Sequence, residues 1–150
     1  IQRGEVVMKM SKRKIFVSFE FENDRNYKYL LEAWNGNSDF EFEFDDKSTR
    51  EINSWNISTI KAALTRKINE ADYTIVIVGK EANKRHKDSQ LIGYKNWQNF
   101  EIAKSKENGN KLIAIKINSL YESPEELLNS GASWAYSFSE EAIMKAVRNA

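Results

Sequence analysis

Apolar and polar positions along this chain alternate between two periods, one fitting strands and one fitting helices. Lys14–Phe19 (KIFVSF) is a short apolar run rich in β-formers, which predicts a strand buried on both faces. After an acidic loop, Glu20–Asp24, the residues Tyr27, Leu30, Leu31 and Trp34 recur at helical spacing, with Asn23 or Asp24 as cap and Asn35-Gly36-Asn37 as stop. Asp39–Phe44 (DFEFEF) alternates strictly, with Phe40, Phe42 and Phe44 on one side and Glu41 and Glu43 on the other, as in a half-exposed strand at a sheet edge. A polar loop, Asp45–Ser54, then precedes a helix capped by Ser54 or Asn56 and running to about Asn69, with Ile57, Ile60, Leu64 and Ile68 as its apolar stripe. Tyr73–Val78 (YTIVIV) predicts a central strand ended by Gly79, and Glu81–Gly93 is charged and irregular. Asn96–Asn108 reads as a helix closed by Gly109, followed by a strand at Lys111–Ile117. Pro124 opens a short helix (PEELLNS), Ser133–Phe138 is a last short strand, and Ser139 caps a closing helix to Ala150.

Strands that alternate with helices imply right-handed crossovers and a parallel sheet covered on both faces. The expected fold is therefore α/β: a doubly wound, five-stranded parallel sheet in the flavodoxin-like order 2-1-3-4-5. The alternating second strand suits the edge position in that order. Residues 11–150 form one domain in this reading, and residues 1–10, which lack an initial methionine, form an N-terminal extension or expression remnant ahead of a start at Met8 or Met10. Such sheets bind ligands outside the carboxyl ends of their strands, at the switch point between the first and third. Glu20–Asp24, Asp45–Ser54 and Gly79–Gly93 face that crevice, and the Asn96–Asn108 helix begins beside it.

Composition removes several chemistries. With 41% apolar and 30% charged residues and a formal net charge of +1, the chain has neither the basic footprint of a nucleic-acid binder nor that of a membrane-surface protein. No stretch approaches the ~20 apolar residues of a membrane helix. There is no cysteine, which excludes disulfides and thiolate chemistry and suits a cytoplasmic location. The one histidine, His86, lies in a basic run (Lys84-Arg85-His86-Lys87), so neither a histidine-rich metal site nor an ordinary triad is available, and no metal site is expected. The loop after the first strand has two glutamates and no glycine, unlike a phosphate cradle. The third strand ends Val78-Gly79-Lys80 without an acceptor aspartate, and no nucleophile elbow occurs. Carboxylate chemistry, or none, survives.

The best placed carboxylate is Glu101, four residues after Trp97 and flanked by Phe100, Ile102 and Ala103. At that spacing an indole and an acid share one helix face. By itself the pattern also fits a solvated helix acid beside a half-buried packing tryptophan.

Ile15-Phe16-Val17-Ser18-Phe19 resembles the first-strand signature of TIR domains. Trp97-x-x-x-Glu101-Ile102 resembles the motif in which NAD-cleaving TIR domains carry their catalytic glutamate, and Asn108–Ile113 resembles the passage from that helix into the next strand. The likeness spans roughly Lys14–Ser119 and is strongest to the bacterial TIR-like branch that includes the Thoeris anti-phage proteins. It implies a catalytic Glu101 and a substrate site built with Trp97, Ser18, Phe19 and Asp45. It also implies NAD as substrate, with no separate cofactor, and an ADP-ribose-derived signal, cyclic or conjugated, read by a downstream effector protein. Self-association through TIR-like surfaces is implied as well. The chemistry is coherent: nicotinamide leaves the ribose as a neutral group, so no general acid is needed, and one carboxylate can stabilise the oxocarbenium-like charge that grows on the sugar. Two other roles fit the same residues, a non-enzymatic TIR-like adaptor or assembly module and a nucleotide sensor that binds without turnover. For Phe19 the competing role is core packing, for Asp45 a turn or cap, and for His86 a solvated loop.

Overall fold

The computed structural model describes residues 13–34, 40–44 and 56–150. Residues 1–12 lie outside it, as do the helix stop at residues 35–37 and the 45–54 loop, Asp45 included. The chain runs β1 (Arg13–Ser18), α1 (Phe21–Trp34), β2 (Phe40–Phe44), α2 (Ile57–Asn69), β3 (Tyr73–Val78), α3 (Ser89–Ile92), α4 (Trp97–Asn108), β4 (Lys111–Lys116), a 3-10 turn (Glu125–Leu127), β5 (Ser133–Ala135) and α5 (Glu140–Asn149). The strands form a parallel sheet in the order β2-β1-β3-β4-β5, with Ser18 opposite Val76 and Val78 opposite Lys116.

Period-two alternation divides the strand residues between two cores. On one face Ile15, Val17, Ile75, Ile77, Ile113 and Ile115 pack with Leu31 of α1 and with Ile143, Ala146 and Val147 of α5. On the other, Phe16 packs under Ile57, Ile60, Leu64 and Ile68 of α2 and Phe100 of α4, while Val76, Val78, Leu112 and Ala114 pack under Ile102. Each fully buried side chain of this size contributes about 1.5–3 kcal/mol, so the second layer, with Phe100 and Ile102, holds α4 firmly against the sheet.

Local signals set the helix ends, with some shifts from expectation. Asn56 and Asn96 cap α2 and α4, their side chains accepting from the N–H groups of Thr59 and Asn99. Gly109, at φ 76°, ends α4 in the left-handed conformation that favours glycine. The acidic loop before α1 is shorter than expected. Glu20, not Asn23 or Asp24, caps this helix, its carboxylate accepting from the N–H groups of Glu22 (3.3 Å) and Asn23 (2.9 Å). Asp24 is thereby turned inward. The segment read as irregular holds α3, closed by Gly93 at φ 86°. Around Pro124 only a 3-10 turn forms, and β5 stops at Ala135 because Tyr136 is already solvent-exposed.

Candidate functional site

The site gathers where β1 and β3 diverge. Glu101 faces the sheet from the second turn of α4 and is 0% exposed. The Ser18 hydroxyl, at the carboxyl end of β1, donates to Glu101 Oε1. One turn earlier, Gln98 Nε2 donates to the carbonyls of Ser18 (3.3 Å) and Ile77 (3.0 Å). This amide bridges the two strands where ladder bonding ends, and so fixes the Ser18 hydroxyl beneath the carboxylate. One turn later, Ser105 Oγ donates to the Glu101 carbonyl (2.8 Å) and shares a hydrogen bond with Thr74 Oγ1 (2.7 Å). Glu101 is thus held at a definite depth by polar contacts on both sides.

A buried asparagine network secures the start of α4. Asn96 Nδ2 donates to the carbonyls of Ala82 (2.8 Å) and Lys84 (3.0 Å). Asn99 Nδ2 donates to Asn83 Oδ1 (3.1 Å) and Asn96 Oδ1 (3.0 Å), and its own Oδ1 accepts from the Glu126 N–H (2.9 Å). Loop, helix and 3-10 turn therefore meet on one side chain. Asn99→Leu is expected to lower unfolding stability by roughly 2–4 kcal/mol in urea titration, because it strands several buried polar groups at once.

Acidic side chains gather just past the carboxyl end of β3. Asp24, from the first turn of α1, is 4% exposed and lies against Gly79, the residue after β3. A Cβ at Gly79 would stand 2.0 Å from Asp24 Oδ2, so this glycine makes room for the carboxyl. Burial, then the nearby carboxylates of Glu20 and Glu81, push the Asp24 pKa up to about 6. Glu81 is held below its ordinary range by hydrogen bonds from Lys84 (3.3 Å) and Asn23 (2.9 Å). Gly79→Ala is expected to cost about 1–3 kcal/mol from overpacking. Adding Asp24→Ala should recover most of that loss, and a double-mutant cycle from urea unfolding checks the coupling.

The sequence candidates fall in different places. Ser18 and Glu101 meet. Phe19 is buried in the core on the opposite face of the sheet, with Leu31 and Ile143, as strand alternation requires of the residue after Ser18. Trp97 is half-buried and packs edge-on against Phe100, ring centroids 5.6 Å apart, on the α2 side of α4. His86 Nδ1 accepts from the Asp88 N–H (2.9 Å) within its own loop. Sequence reasoning passed over Gln98, Asn99 and Asp24. Two of these lie in the Asn96–Asn108 motif itself, where their polarity at buried helical positions was the available signal.

A cavity of about 750 Å³ opens on the other flank of α4, between α2 and α4, lined by Lys61, Arg66, Gly93, Tyr94, Phe100 and Lys104 among others. Among the described residues no cluster of three or more His, Cys, Asp or Glu could hold a metal ion, and no helix is long and apolar enough to cross a membrane.

No curated protein sequence matches the chain. Among solved structures, a 2-deoxyribosyltransferase from the psychrotolerant bacterium Bacillus psychrosaccharolyticus is similar, at 12% identity and a TM-score of 0.58, covering 86% of this chain and 90% of that one. At that identity the likeness concerns the fold alone. A family model described as the TIR-like domain of the Thoeris protein ThsB matches residues 16–122, well over half of the chain and a span that includes Ser18, Asp24, Gly79, Gln98 and Glu101. The chain therefore belongs to the TIR-like domain family of the Thoeris protein ThsB.

Proposed function

We propose that this domain cleaves the nicotinamide–ribose bond of NAD, with Glu101 as the catalytic carboxylate, and yields an ADP-ribose-derived signal, cyclic or conjugated, for a downstream effector in anti-phage defence. One observation carries the reading: Glu101 sits at the switch point of a parallel sheet, oriented by the Ser18 hydroxyl on β1. The C–N bond breaks with its electron pair going to nicotinamide, and positive charge spreads over C1′ and the ring oxygen of the ribose. A carboxylate fixed in an apolar setting stabilises that charge far better than water does. Ser18 positions the carboxylate from the end of β1.

Glu101 is closed off in this structure, so a ribose reaches it only when the surrounding chain opens and a sugar hydroxyl takes over the Ser18 contact. Self-association that reshapes the crevice would supply such opening in the cytoplasm. The same closure favours the second reading, a TIR-like adaptor that assembles without turnover. Chromatography of NAD incubated with the protein, dilute and then in a forced assembly, separates the two. Nicotinamide appearing on assembly is the expected result, and assembly with NAD left intact would favour the adaptor.

A further inference from the structure

The cavity between α2 and α4 is not used by the chemistry assigned to Glu101. Its walls follow from helices that each present a second face. Along α2, Ile57, Ile60, Leu64 and Ile68 cover the sheet, while Lys61, Thr65 and Asn69, spaced every four residues, line the cavity from an adjoining face. Along α4, Phe100 and Lys104, also four apart, form part of the opposite wall. The Lys61 ammonium stands 5.9 Å from the centroid of the Phe100 ring and beside Gly93, where an added Cβ would be 3.9 Å from it. Lys104 Nζ lies 5.7 Å from the same ring. Two ammonium groups, one from each wall, therefore converge on one buried ring. Cation–π attraction offsets part of their mutual repulsion, and an anion between them would remove the rest.

Helix stability does not account for this charge. The dipole of α2 favours Arg66 and Lys67 in its last turn, but Lys61 sits in the second turn, where a cation gains nothing from it. Among the described residues neither Lys61 nor Arg66 has an ion pair or a side-chain hydrogen bond, and Lys104 meets only the exposed carboxylate of Glu107, at 3.4 Å. Three cations thus line the cavity against one acid, Glu70, in a chain whose formal net charge is only +1, so the charge is local to this place. At about 750 Å³ the cavity is far larger than one phosphate and lies within the roughly 300–1000 Å³ of small-molecule sites. Ile92 and Tyr94 give it an apolar and aromatic wall for the uncharged part of a ligand. We propose that this cavity binds a nucleotide-sized organic phosphate, with its phosphates among Lys61, Arg66 and Lys104 and its flat body against Tyr94. The inference goes beyond NAD cleavage and holds whether or not Glu101 is catalytic.

Calorimetric titration with ADP at low salt, beside adenosine and inorganic pyrophosphate, tests the site. One ADP should bind per chain, more tightly than either fragment, because each fragment lacks half of what the cavity holds. Replacing both lysines, Lys61→Gln with Lys104→Gln, should weaken ADP binding about tenfold or more, since two charged donors are lost. Lys61→Arg with Lys104→Arg keeps both charges and should stay within a few-fold of wild type. Glu101→Gln should bind ADP as wild type does. Added salt should weaken wild-type binding. No binding of ADP at millimolar concentration, equal binding by wild type and the glutamine variant, equal loss in the glutamine and arginine variants, or pyrophosphate binding as tightly as ADP would each overturn the inference. Absence of nicotinamide release would overturn the Glu101 reading and leave this one standing.

Discussion

Glu101→Gln is expected to lower nicotinamide release by about 100- to 1000-fold while the domain stays folded. The two side chains have nearly the same shape, and the Ser18 hydroxyl can donate to an amide oxygen as it does to Oε1. The negative charge is what disappears. Losing one preorganised group aimed at developing charge costs roughly 3–4 kcal/mol of transition-state stabilisation. Folding responds differently. An amide of the same volume keeps the Ser18 contact and the packing around it, so the melting temperature should stay within a few degrees of wild type. Nicotinamide assays and thermal melts on the same preparations check both halves. Undiminished turnover would remove Glu101 from the chemistry, and a collapsed melting temperature would make its role structural.

Asp24→Asn is expected to stabilise the protein at pH 8 and to leave it nearly unchanged at pH 4. The folded state raises this carboxyl from 3.8 to about 6, so the native protein binds the Asp24 proton more tightly than the unfolded chain does. That difference stabilises the fold fully below the unfolded pKa and is lost as pH rises through about 6. At about 1.4 kcal/mol per unit the whole shift would amount to roughly 3 kcal/mol, and screening by nearby solvent cuts the loss by pH 8 to about 1–2 kcal/mol. Asparagine carries no titrating proton and escapes it. Urea unfolding of both proteins at pH 4 and pH 8 measures the gap. A constant difference between the two pH values would mean that Asp24 does not titrate in this window.

The α/β arrangement was legible because parallel strands, buried on both faces, leave long apolar runs such as Tyr73–Val78, and because asparagine and glycine mark the ends of α4. Ser18 and Glu101 could be placed together from topology, since Ser18 ends β1 and Glu101 lies near the start of the helix that follows the neighbouring strand β3. Phe19 was harder. One residue separates it from Ser18, yet strand alternation sends the two to opposite faces of the sheet. Trp97 shares a helical face with Glu101 by spacing, but its indole turns to the aromatic ring of Phe100, where apolar area is available. Asp24 was read as part of a loop because Asn23 and Asp24 are good caps by composition. Glu20 takes that role instead, and the inward turn of Asp24 depends on Gly79, distant in sequence. Gln98 was equally hidden, since its two acceptors are backbone carbonyls of separate strands and leave no mark in side-chain pattern.

The most direct test of the account is a time course of nicotinamide release from NAD by the assembled wild-type domain, run beside Glu101→Gln at equal concentration. The account predicts steady release by wild type and almost none by the variant. Equal release by both, or none from an assembled wild type, would contradict it.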